Sequence, residues 1–147
     1  MATRKKQRKR SVADDEKEEV SNEREVVYEV NLSVAPAVEE DVYTKWLDAH
    51  IEKMLKLNGF MTAERFRRNP ADEGLTTDDK LFTVQYRVKD REALNEYFSK
   101  HAEKMRAEGL AKFGDKVKAQ RRILSAGVFF GGRPRSPFVD RQSEEIA

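Results

Sequence analysis

His50-Ile-Glu-Lys-Met54 and His101-Ala-Glu-Lys-Met105 are two copies of one pattern, and the elements around them decide the fold. Each copy lies where apolar residues recur at helical spacing. Around the first, Val38, Val42, Trp46 and Leu47 lead to Ile51, Met54 and Leu55. Around the second, Leu94, Tyr97, Phe98, His101 and Met105 form one stripe that continues toward Leu110. A strand precedes each helix. In Val26–Val34 the residues Tyr28, Val30, Leu32 and Val34 share a face, and in Leu81–Val88 Phe82, Val84, Tyr86 and Val88 do the same. Glycine and phenylalanine follow in both copies, as Gly59-Phe60 and as Gly109 and Phe113. A strand from Phe60 to Arg67 follows the first helix, and a weaker one from Val117 to Leu124 follows the second.

The order is β-α-β-β-α-β. Two β-α-β units predict an α+β, ferredoxin-like fold with a four-stranded antiparallel sheet and strands one and three at its centre. Right-handed crossovers put both helices on one sheet face. Local signals agree. Pro36 suits a helix first turn, and Asn58-Gly59 ends the first helix. Asn69-Pro-Ala-Asp-Glu-Gly74 is a loop, and Asp90 is an N-cap for the second helix.

Outward from this domain, 26–124, the character of the chain changes. Residues 1–25 hold almost nothing apolar and cannot offset the entropy of ordering, so a disordered tail is expected. Its basic run, residues 4–10, gives way to the acidic run Asp14-Asp-Glu16 and Glu18-Glu19. The basic run reads as a nuclear-import signal, as a non-specific nucleic-acid contact, or as a solubilising charge run. Residues 125–147 are dense in glycine and proline, which predicts a tail without regular elements. Phe129, Phe130 and Phe138 in it could dock on the domain or a partner, and Arg135-Ser-Pro137 is a weak phosphorylation signal.

Composition excludes whole classes of chemistry. The chain has 147 residues, enough for one ordinary domain, and a net charge of +2. There is no cysteine, hence no disulfide, thiol nucleophile or thiolate metal site. No apolar run reaches the roughly 20 residues of a membrane span. The N-terminus has neither the apolar stretch of a secretory signal nor the acid-poor character of a mitochondrial presequence. The expected location is cytoplasmic or nuclear.

Gly109-Leu-Ala-Lys-Phe-Gly114-Asp115-Lys116 has Walker-like glycine spacing, but Asp115 stands where the phosphate-binding lysine belongs and a helix precedes it rather than a strand. Only two histidines exist, which rules out a three-histidine metal site. Both lie on the apolar stripes, His50 one turn after Trp46 and His101 one turn after Tyr97. A histidine in such a place is either an acid, base or ligand near neutral pH, or a core residue whose nitrogens meet backbone or carboxylate partners. Trp46, the only tryptophan, is either a pocket wall or core. No catalytic residue, metal ligand or cofactor is assigned.

The sheet face away from the helices should carry Glu29, Asn31, Thr83, Gln85 and Arg87, with Arg65, Arg67, Arg121 or Arg122 as flanking cations. RNA-recognition modules of this topology stack bases on aromatics of strands one and three. Here Tyr28, Phe82 and Tyr86 fall on the helix side, so RNA binding by the sheet is not expected.

Tyr28-Glu-Val-Asn-Leu32, Trp46-Leu-x-x-His50-x-x-x-Met54-Leu55, Asn58-Gly-Phe60-x-x-Ala63, Val84-Gln-Tyr-Arg-Val88 and His101-Ala-x-x-Met105-Arg-x-x-Gly109-Leu110 together resemble a family of small, mostly bacterial proteins described as a domain of unknown function. That family is similar to the dimeric α/β-barrel superfamily. The resemblance covers Tyr28 to Leu124. It implies two sheets paired face to face in a homodimer, with a pocket between helices and sheet. Relatives include cofactor-free monooxygenases, haem-degrading enzymes, stress-response proteins and small-ligand regulators. Haem-degrading members use an Asn, a Trp and a His. The chain has Asn31, Trp46, His50 and His101, but its Trp-to-His spacing departs from that pattern and Asn31 faces away from the helices, so that activity is not carried over.

The expectation is a dimeric small-molecule-binding domain whose pocket involves Trp46, His50, Tyr86 and His101. The alternative is a non-catalytic interaction or stress-response module, and a third reading is a cofactor-free or haem-linked monooxygenase.

Overall fold

Alternation in strands one and three translates directly into sheet register. In the computed structural model, which describes residues 21–132, β1 (Ser21–Val34) and β3 (Lys80–Val88) pair antiparallel. Tyr28 stands opposite Tyr86, Val30 opposite Val84, and Leu32 opposite Phe82. β2 (Phe60–Arg68) pairs antiparallel with β3 on its other side, with a bulge between Phe60 and Thr62. β4 (Val117–Val128) completes the order β2-β3-β1-β4, so strands one and three are central. The helices are α1 (Glu40–Met54), α2 (Arg91–Lys100) and α3 (Ala102–Phe113). This is the ferredoxin-like arrangement. The basic and acidic runs of the N-terminus and Arg135-Ser-Pro137 lie outside the described residues.

The core sits between the helices and one sheet face. Val34, Phe82, Val84, Val88 and Leu94 are almost wholly buried there, with Tyr28, Tyr43, Leu47, Met54, Phe60 and Tyr97. Asp90 caps α2 as expected, its carboxylate accepting from the Ala93 N–H at 2.9 Å. Gly59 has φ of 83°, and a Cβ on it would stand 2.4 Å from the Ala93 Cβ, so only glycine lets the α1–β2 turn pass so close to α2.

Four elements differ from expectation. β1 begins at Ser21 rather than Val26, because a strand on a polar sheet face needs no apolar residues: Glu25 is buried and accepts from Arg87 at 3.1 Å. α1 starts at Glu40, and Pro36 belongs instead to the turn closed by Val38 N–H on Ala35 O. β4 continues through Gly127 to Val128 where an irregular tail was expected, since an edge strand tolerates glycine. The expected single helix from Arg91 is two helices. At His101 (φ −127°, ψ −27°) the backbone leaves helical values, and Ala102 takes the buried position that an unbroken helix would give His101.

The opposite sheet face is polar. Glu29 lies opposite Gln85 and Asn31 opposite Thr83. Of the four arginines expected to flank it, only Arg122 bonds there, to Glu29. Arg65 and Arg67 lie on the helix side and pair with Asp48 and Glu40 of α1, and Arg121 also faces the helix side.

Candidate functional site

Between the helices and the sheet the packing is incomplete. A cavity of about 720 Å³ opens there, within the range of small-molecule sites. Its floor is the paired face of the central strands, with Tyr28, Val30, Val84 and Tyr86. α1 supplies Tyr43, Trp46, Leu47, His50 and Met54, spaced three and four residues apart and hence on one helix face. α3 closes the far side with Met105, Arg106, Gly109 and Phe113.

Trp46 and His50 are stacked, ring centroids 4.8 Å apart and planes within 16°. Trp46 meets the Phe113 ring edge-on at 5.4 Å. Gly109 makes room for the indole: a Cβ at that position would lie 3.0 Å from Trp46 Cη2. His50 Nδ1 is buried and has no hydrogen-bond partner. Its nearest carboxylate oxygen, Glu108 Oε1, is 4.0 Å away, and Glu108 is already held by Lys53 at 3.3 Å. Burial lowers the His50 pKa below the ordinary histidine value, more than Glu108 raises it, so the ring is neutral at pH 7. A neutral imidazole with an unsatisfied nitrogen on a cavity wall is a hydrogen-bonding group that lacks a partner.

The other end of the cavity is a cluster of phenols. Tyr28 stacks on Tyr86 at 6.0 Å and meets Phe98 edge-on at 5.5 Å. Tyr97 lies 5.7 Å from Tyr28. Burial pushes the pKa values of Tyr43, Tyr86 and Tyr97 up, so these phenols stay protonated donors. Arg106 donates to the Tyr28 hydroxyl at 3.4 Å.

Of the four residues picked from the sequence, Trp46, His50 and Tyr86 therefore line one cavity. His101 does not; it occupies the break between α2 and α3, where its N–H donates to Tyr97 O at 2.9 Å. Arg106, Arg121 and Tyr28 were missed as polar wall residues. One signal for Arg106 was present: the first repeat places Leu55 after its methionine, whereas the second places a cation there. Among the described residues no group of three His, Cys, Asp or Glu side chains could hold a metal ion. None of the described helices is long and apolar enough to cross a membrane.

The fold is also that of a solved structure. SnoaB, a cofactor-independent oxygenase from Streptomyces nogalater, is similar with a TM-score of 0.55 at 11% identity, over 73% of this chain and 97% of its own. The de novo designed protein Foldit4 matches at 16% identity with a TM-score of 0.49, over 69% of this chain and 97% of its own. No curated protein matches the chain in sequence. The model of one family spans residues 25–126, all but the outer ends of β1 and β4, and the chain belongs to that family, the domain of unknown function DUF4286.

Proposed function

We propose that the domain binds a small molecule in the helix–sheet cavity, against Trp46, His50 and Tyr86. The observation that carries this reading is His50 Nδ1, a buried polar atom without a partner on the wall of a cavity of about 720 Å³. Buried polar groups are nearly always satisfied, and a bound ligand would satisfy this one. Trp46 is the only tryptophan, so its emission reports on the cavity alone. In a screen of small ligands and haem against the full chain, a ligand of this site changes Trp46 emission, and His50→Ala weakens its binding while leaving the protein folded. A His50→Ala protein that only unfolds more easily, with ligand affinity intact, refutes the assignment of His50. The oxygenase activity of SnoaB is not part of the proposal, because likeness of fold carries no chemistry without likeness of site.

The proposal includes a homodimer formed through the polar sheet face, where Phe66, 38% exposed, stands opposite Thr83. Light scattering of the full chain should give twice the monomer mass. A monomer at all accessible concentrations removes this part of the reading and favours a scaffold or interaction role for the open face. A cytoplasmic or nuclear location, and non-specific nucleic-acid contact through residues 4–10, complete the proposal.

A further inference from the structure

The charges on the cavity wall say what kind of molecule fits. Resting on the reading of this cavity as a ligand site, the geometry points to an amphipathic monoanion: an aryl or alkyl carboxylate with its apolar body among the rings and its head between Arg106 and Arg121. Both guanidinium groups belong to the wall. Among the described residues the guanidinium of Arg121 has no carboxylate within 4.0 Å and no side-chain hydrogen bond, in contrast to Arg65, Arg67, Arg68 and Arg122, which are all paired. Arg106 makes no ion pair; its guanidinium meets only phenols, donating to the Tyr28 hydroxyl at 3.4 Å and also bonding Tyr97. In the first of these bonds the Tyr28 phenol is the acceptor.

Arg121 is close enough to act on both His50 and Tyr97, and Arg106 on Tyr97, each favouring negative charge in the space between them. The acidic groups nearby do not cancel this. Glu108 is paired with Lys53. Glu103 is on the wall but makes no ion pair with either arginine. Two arginines against one free glutamate leave a single positive charge for the ligand to meet, which is why a monoanion fits better than a phosphate ester. A carboxylate also matches the fork of a guanidinium.

The test compares two probes of one shape, 2-naphthoate and 2-naphthylmethanol, titrated calorimetrically into the full chain, with Arg121→Gln and Arg121→Lys variants. The expected result is naphthoate binding about tenfold tighter than the alcohol, with Arg121→Gln erasing that advantage and Arg121→Lys keeping most of it. Equal affinities for the two probes, or an Arg121→Gln loss shared equally by both, overturn the anion inference while leaving the cavity reading in place. Failure of both probes to bind overturns the anion inference, while the Trp46 emission screen decides the cavity reading separately.

Discussion

Glu29 is a carboxylate at the centre of a sheet face, and replacing it by glutamine should give a loss of stability that depends on pH. Burial on its own would push the carboxyl upward. The hydrogen bonds from Arg122, Asn31 and Gln85, with the charge of Arg122, outweigh it and hold the group at about 2, against an ordinary 4.5. At about 1.36 kcal/mol per pH unit this gap sets a ceiling of about 3.4 kcal/mol. The side chain of Arg122 is 65% exposed while that of Glu29 is 4% exposed, so solvent screens the pair and about 1–2 kcal/mol is expected. Because the folded-state value is depressed, this stability is fully present above pH 4.5 and is lost as the pH falls toward about 2. Glutamine mimics the protonated acid, keeping one acceptor and turning the other into a donor that faces donors. Urea denaturation of wild type and Glu29→Gln between pH 7 and pH 2, followed by Trp46 emission, should give a gap of about 1–2 kcal/mol at pH 7 that closes near pH 2. A gap that stays constant with pH, or a variant as stable as wild type at pH 7, refutes the reasoning.

Two further outcomes are expected. Gly59→Ala should cost about 3 kcal/mol or more, since φ of 83° disfavours any side chain and the new Cβ would lie 2.4 Å from that of Ala93; a midpoint of denaturation unchanged from wild type contradicts the turn geometry. Acidification should quench Trp46 emission with a midpoint below 6.5, because the stacked His50 ring becomes a cation only after its burial is overcome, and stability should fall as the pH drops from about 6.5 toward that midpoint, where the unfolded chain takes up the proton and the folded state resists it; quenching that persists in His50→Gln assigns the titration to another group.

The parts of the fold legible in the sequence were those that repeat a local pattern. Tyr28, Val30, Leu32 and Val34 alternate because one face of β1 is core and the other is not, and the pairing partners Phe82, Val84 and Tyr86 alternate in step with them. The Asp90 cap was legible because its donor lies three residues away. A one-residue departure from helical geometry at His101 leaves the spacing of Leu94, Tyr97 and Met105 almost unchanged, so periodicity joined what the backbone separates and put His101 on a wall it does not reach. Trp46 and His50 were found as a pair because they share one turn of α1. Arg106 and Arg121 were not, since one belongs to α3 and the other to β4, and nothing local to either residue says that both face the same cavity.

The two faces of the sheet differ in polarity, and they differ also in whether the polar groups on each side are satisfied. On the open face, Glu29 Oε1 accepts from Gln85 Nε2 and Arg122 Nη2, and Oε2 accepts from Asn31 Nδ2 and Arg122 Nε, which uses all of its lone pairs. Thr83 donates to Asn31 Oδ1 at 2.6 Å and closes the network. Such a face offers its central carboxylate to no new donor, and a second sheet could cover it without stranding that charge. On the helix side, the buried His50 Nδ1 has no partner, and the exposed guanidinium of Arg121, among the described residues, has neither a side-chain hydrogen bond nor a carboxylate within 4.0 Å. Burial of the His50 nitrogen costs free energy that nothing within the described residues returns. The search for a ligand therefore belongs in the cavity, and the search for a second copy of the chain belongs on the open sheet.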